Sequence, residues 1–126
     1  MIIMEKYWDV MRGMIGLSTT CGEAIELLHE RLHQNQIHEM AYLMADIADA
    51  CNQLEKSTGM ISPFLLKDNR LEELTKFRTE ILEKLVCAFE QLDQVLAIQV
   101  LSSQMIPLQK EWQEEMTRTV VPHVLS

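Results

Sequence analysis

Residues 7–32 read YWDVMRGMIGLSTTCGEAIELLHERL, and this stretch decides the fold. Its apolar positions Tyr7, Val10, Met11, Met14, Leu17, Cys21, Ala24, Ile25, Leu28 and Leu32 recur at intervals of three and four. Side chains so spaced share one face of an α-helix. Gly13, Gly16 and Gly22 weaken that helix. Thr20-Cys21-Gly22-Glu23 even has the form of a capping box that would start a new one. The stripe nevertheless keeps its phase through Tyr7, Met14, Cys21 and Leu28, which an inserted loop would break. One helix over about 4–33 is predicted, with a bend expected between Gly16 and Gly22.

Outward from this helix, the polar run His33-Gln34-Asn35-Gln36 reads as a turn, with Asn35 suited to a left-handed helix end. A second helix over 37–56 would bury Ile37, Met40, Met44, Ile47, Ala48, Cys51 and Leu54. So short a connection makes the first two helices antiparallel neighbours. Residues 57–69 contain Gly59 and Pro63 and read as a connection, yet Met60, Ile61, Phe64, Leu65 and Leu66 make it too apolar for a free linker. Asn69 offers a cap for a third helix over 70–96, whose stripe is Leu71, Leu74, Arg78, Ile81, Leu85, Ala88 and Leu92. Arg78 is out of character there. Val95 to Leu101 is apolar nearly all round, so two readings stand for the last helix. Ser102 or Ser103 caps a helix over 104–121 with Pro107 in its first turn. Alternatively, Asp93 caps a longer helix that Pro107 kinks. The pattern predicts an all-α chain, an antiparallel up-down four-helix bundle forming a single domain over 1–126.

Composition narrows the function. The net charge of −8 disfavours nucleic acid, which needs concentrated Lys and Arg. Neither half is a basic module: residues 1–63 hold four basic and nine acidic groups, and 64–126 hold seven and ten. No apolar run is long enough to span a membrane. The start, Met1-Ile2-Ile3-Met4-Glu5-Lys6, has no basic leader with a hydrophobic segment and cleavage site, so the cytoplasm is expected. Cys21, Cys51 and Cys87 are odd in number and widely spaced, and read as small buried hydrophobes in a reducing compartment.

One motif looks like chemistry. His29-Glu30-Arg31-Leu32-His33 is HExxH, with two imidazoles one helical turn apart and a carboxylate between them. Over these five residues the chain resembles the zincin metallopeptidases. That resemblance implies zinc held by His29 and His33, Glu30 as general base, and Glu39 as third ligand, six residues after His33. The branch with that spacing has a glycine where this chain has Gln36. The helical stripe, for its part, turns His33 toward solvent and leaves His29 at its border. The 28 residues before His29 read as helix, with no strand to hold a substrate. Glu26-x-x-His29 and Glu30-x-x-His33 also match the ExxH unit of di-iron bundles, but no second unit exists on another helix. Asp46 and Asp49 read as a solvated helical face.

Binding asks for nothing the sequence lacks. Nine methionines fill an irregular core and also suit adaptable surfaces. Met60, Ile61, Phe64, Leu65 and Ile98 are apolar where no stripe requires them, and are the expected partner-binding residues. In build the chain is similar to bacterial export chaperones and adaptor proteins, including the flagellar type. That likeness implies a protein partner or self-association and no cofactor. A zinc hydrolase using His29-Glu30-x-x-His33 is the alternative.

Overall fold

The computed structural model describes residues 2–125, with side chains from residue 6 onward; Met1 and Ser126, the ends of the expected 1–126 domain, lie outside them. All regular structure among the described residues is helical. The first helix, α1 (Ile2–Leu32), runs unbroken through its three glycines. Thr20 starts no new helix: its hydroxyl donates to the Gly16 carbonyl behind it, at 3.2 Å. Packing explains the continuity, because Met11, Met14, Ser18, Cys21, Ile25, Leu28 and Leu32 all lie buried along one side. Each large aliphatic side chain so covered contributes about 1.5–3 kcal/mol, which outweighs about 1 kcal/mol lost per glycine.

A single 3₁₀ turn (Ile37–Met40) leads into α2 (Ala41–Ile61). The second helix therefore runs five residues past the expected end at 56. Its stripe continues at helical spacing through Leu54, Thr58 and Ile61, all buried, and that burial carries the helix across exposed Gly59. Pro63 sits in a second 3₁₀ turn (Ser62–Phe64) that closes the helix. The Asn69 side chain accepts from the Leu71 N–H at 3.0 Å as α3 (Leu71–Glu90) begins, with Glu72 and Glu73 on the favourable side of the helix dipole.

The last part of the chain corrects the expected bounds 70–96 and 104–121. The third helix stops at Glu90, and Asp93 caps α4 (Gln94–Val100), its side chain accepting from the Leu96 N–H at 3.1 Å. A π-helical turn (Leu101–Met105) then joins α4 to α5 (Ile106–Thr119) without leaving the right-handed helical region. Pro107 accounts for the wide turn. It has no N–H to give to Ser103, and its ring would strike that carbonyl in a regular α-helix. In the wider turn the Ile106 N–H reaches back to Leu101. The Ser103 hydroxyl bonds the Gln99 carbonyl at 2.6 Å. A short α6 (Val121–Leu125) ends the described chain.

In space, α1 packs on α2, α2 on α3, α3 on α4 and α5, and α5 back on α1. The buried side chains form one hydrophobic cluster inside that ring, with Trp112 fully covered. Among the described residues no helix is long and apolar enough to cross a membrane.

Candidate functional site

His29 and Glu30 lie on the last turn of α1, and His33 is the first residue past its end. His29 is half-buried, while Glu30 and His33 are exposed. The two imidazoles meet edge to face with ring centroids 5.0 Å apart. His33 Nδ1 lies 2.8 Å from the His29 carbonyl oxygen, so that nitrogen serves the helix end. Glu39 has a local task, accepting the Gln36 N–H at 3.2 Å. The structure thus brings His29 and His33 together and occupies Glu39 elsewhere. Among the described residues no group of three or more His, Cys, Asp or Glu side chains is placed to hold a metal ion.

The expected partner-binding residues divide. Ile61 and Leu65 belong to the core, because α2 is longer than its sequence suggests and carries Ile61 inward. Phe64 is half-buried, its ring 4.5 Å from that of Tyr7, and Ile98 is half-buried against the core. Met60 remains exposed, with Leu66 beyond it. The most exposed apolar corner lies elsewhere, where α3 gives way to α4. There Leu92, Val95 and Leu96 are 62%, 68% and 37% exposed.

Hydrogen bonding shows how that corner is built. The Asp93 N–H closes on the Ala88 carbonyl at 2.8 Å and the Leu92 N–H on that of Phe89 at 3.1 Å. This pattern ends a helix through a left-handed residue, usually glycine. Here the residue is Leu92, with φ of 55°. Next to it, Gln94 anchors the corner to the α1–α2 turn. Its amide donates to the carbonyls of Leu32 (2.7 Å) and Asn35 (2.9 Å) and accepts the Ile37 N–H (3.2 Å).

A polar cluster missed by the pattern of stripes lies in the interior. Arg78 is 1% exposed. Its guanidinium sits 4.4 Å from the Trp112 ring centroid, and its Nη1 donates to Gln109 Oε1 at 3.2 Å. Trp112 in turn donates its indole N–H to Thr75 at 2.8 Å. Gln109 passes its amide on to the Ser18 carbonyl at 3.3 Å, where Gln113 also donates at 3.3 Å. One turn along α1 from Ser18, Cys21 meets Cys51 of α2, sulfur to sulfur, at 3.8 Å. The two thiols titrate as a pair. Their mutual hydrogen bond lowers Cys51 to about 7 against the cost of burial, with help from the Arg78 charge, and raises Cys21. Burial lowers Arg78, while the thiols and then the Glu55 charge pull it back. Among the described residues it forms no ion pair, and Arg78 Nη2 and Ser18 Oγ are buried without a hydrogen-bond partner. The sign visible beforehand was Arg78 itself, a charge in a buried stripe; Trp112 and Gln109 lie more than thirty residues away.

A family model described as Domain of unknown function (DUF8042) matches residues 9–115. The chain belongs to this family. The DUF8042 match takes in the HExxH segment, the Leu92 corner and the whole Arg78 cluster, and ends within α5. No curated protein and no solved structure matches the chain.

Proposed function

We propose that this DUF8042 chain is a single-domain, cytoplasmic, up-down four-helix bundle that acts through protein contacts, with the α3–α4 corner as its contact surface. One observation carries the reading: Leu92 is both exposed and held in a left-handed backbone conformation. A left-handed non-glycine residue costs about 1–2 kcal/mol, and a leucine 62% exposed recovers little of that within its own chain. Strain at an exposed apolar residue is rational where a partner covers it. Val95 and Leu96 extend the same apolar surface by one helical turn, and Gln94 fixes its position against the C-terminal end of α1.

The test combines sedimentation velocity of the purified chain with capture of partners from the native host's lysate. Val95→Asp is the informative variant, since Val95 is 68% exposed and an acid is welcome in the first turn of α4. Self-association, or a stoichiometric partner, is expected for the parent and lost in Val95→Asp. A parent that is monomeric and captures nothing sinks the reading, as does association that Val95→Asp leaves intact.

A further inference from the structure

We propose that Cys21 and Cys51, backed by Arg78, form a buried two-thiolate site for a soft monovalent cation, copper(I) above all. The argument starts from charge. Arg78 keeps its proton under all ordinary conditions, is 1% exposed, and has an orphaned Nη2. A buried cation without an ion pair is costly, and Glu55 acts on it only through space, so an anion in direct contact is favoured. Two thiolates around one monovalent cation carry a net charge of −1, and with the guanidinium the site becomes neutral. Each thiol gives its proton to solvent, two S–H bonds are replaced by two S–metal bonds, and no electron changes hands. A disulfide is itself uncharged and would leave Arg78 with the through-space charge of Glu55 alone.

Geometry points the same way. With metal–sulfur bonds of about 2.3 Å, a linear pair of sulfurs stands roughly 4.6 Å apart. The present 3.8 Å needs to open by about 0.8 Å. Closing to a disulfide at about 2.05 Å is the larger change, about 1.8 Å between the sulfurs. Thiolate ligands select soft ions. Zinc wants four ligands in a closed site, and the described residues offer no third His, Cys, Asp or Glu.

The experiment is an anaerobic titration of the reduced full chain with copper(I) against a chromogenic copper(I) chelator. The parent and Cys87→Ala are expected to withhold one equivalent. Cys21→Ala and Cys51→Ala are expected to withhold none while keeping the parent's circular dichroism. X-ray absorption of the loaded protein should show two sulfur neighbours. Arg78→Lys keeps the charge and should bind as the parent does. Arg78→Met should bind roughly tenfold to a hundredfold more weakly, the scale of one charge pair at a protein-like dielectric. Absence of binding, binding that survives in Cys21→Ala, or binding that Cys87→Ala abolishes would each overturn the proposal. So would zinc held as tightly as copper(I), or an Arg78→Met variant that is folded and binds undiminished.

Discussion

Leu92 occupies the position after a helix where glycine is the usual choice, because a Cβ in the left-handed region crowds the neighbouring carbonyl. Its φ of 55° and its exposure make opposite demands on stability and on association. Leu92→Gly is expected to raise folding stability by roughly 0.5–1 kcal/mol, the relief of strain less the added freedom of the unfolded chain. Urea denaturation measures the first effect and sedimentation the second. A variant that is more stable and less associated separates a contact role from a packing role, since a packing leucine would lose stability on truncation. No gain in the denaturation midpoint would show that the left-handed backbone is not strained. The histidines teach a different lesson at this scale. His29 and His33 do meet, as their spacing in HExxH requires on a helix, but Glu39 is taken by the Gln36 N–H. Spacing along one helix predicts neighbours on that helix and says nothing of a third group beyond a turn.

Among the elements, the start of α4 was the hardest to read and has the largest consequence. The stripes of α1, α2 and α3 were legible because each has one apolar face and polar residues opposite. Val95 to Leu101 has apolar residues nearly all round, so periodicity gave no end and both Asp93 and Ser102 offered caps. Tertiary contacts decided between them. Gln94, a polar residue inconspicuous in sequence, satisfies three backbone groups of the α1–α2 turn, its partners lying 57 to 62 residues away. No local pattern contains that bond, just as none pairs Arg78 with Trp112. Gln94→Ala removes all three hydrogen bonds and should cost about 2 kcal/mol, at roughly 0.5–1.5 kcal/mol apiece. The loss should be localised: hydrogen exchange is expected to speed at the Ile37 amide before it changes in mid-α2. Uniform acceleration, or none, would mean that the turn holds itself.

For the molecule as a whole, one contribution to stability that acid removes is that of the α5 carboxylate Glu115. Arg118 bonds it through Nε and Nη2, both at 2.9 Å, and the Arg70 backbone N–H joins them from the loop before α3. The Arg118 hydrogen bond leads in holding Glu115 below the ordinary glutamate value of 4.5. A depressed carboxylate contributes stability that is complete above its unfolded value and is lost as pH falls through the folded one. Acidification also relieves the self-repulsion of a chain with net charge −8, which works in the opposite direction. The difference between Glu115→Gln and the parent isolates the specific part. The two should differ most near neutrality and converge as pH falls through the depressed Glu115 value, as followed by denaturation midpoints. A gap that stays constant with pH would assign the effect to shape instead of charge.

The Arg78–Trp112 contact has one further use. Trp8, half-buried on α1, is the chain's other indole, so Trp8→Phe leaves a single indole fluorophore, at the centre of the molecule. That fluorophore lies under a cation and donates its N–H to Thr75. Excitation moves electron density across an indole ring, and a fixed charge 4.4 Å from the ring centroid shifts the colour of the emitted light. An anion settling beside Arg78 would alter that shift, and the protein would announce its own occupancy optically, without a label.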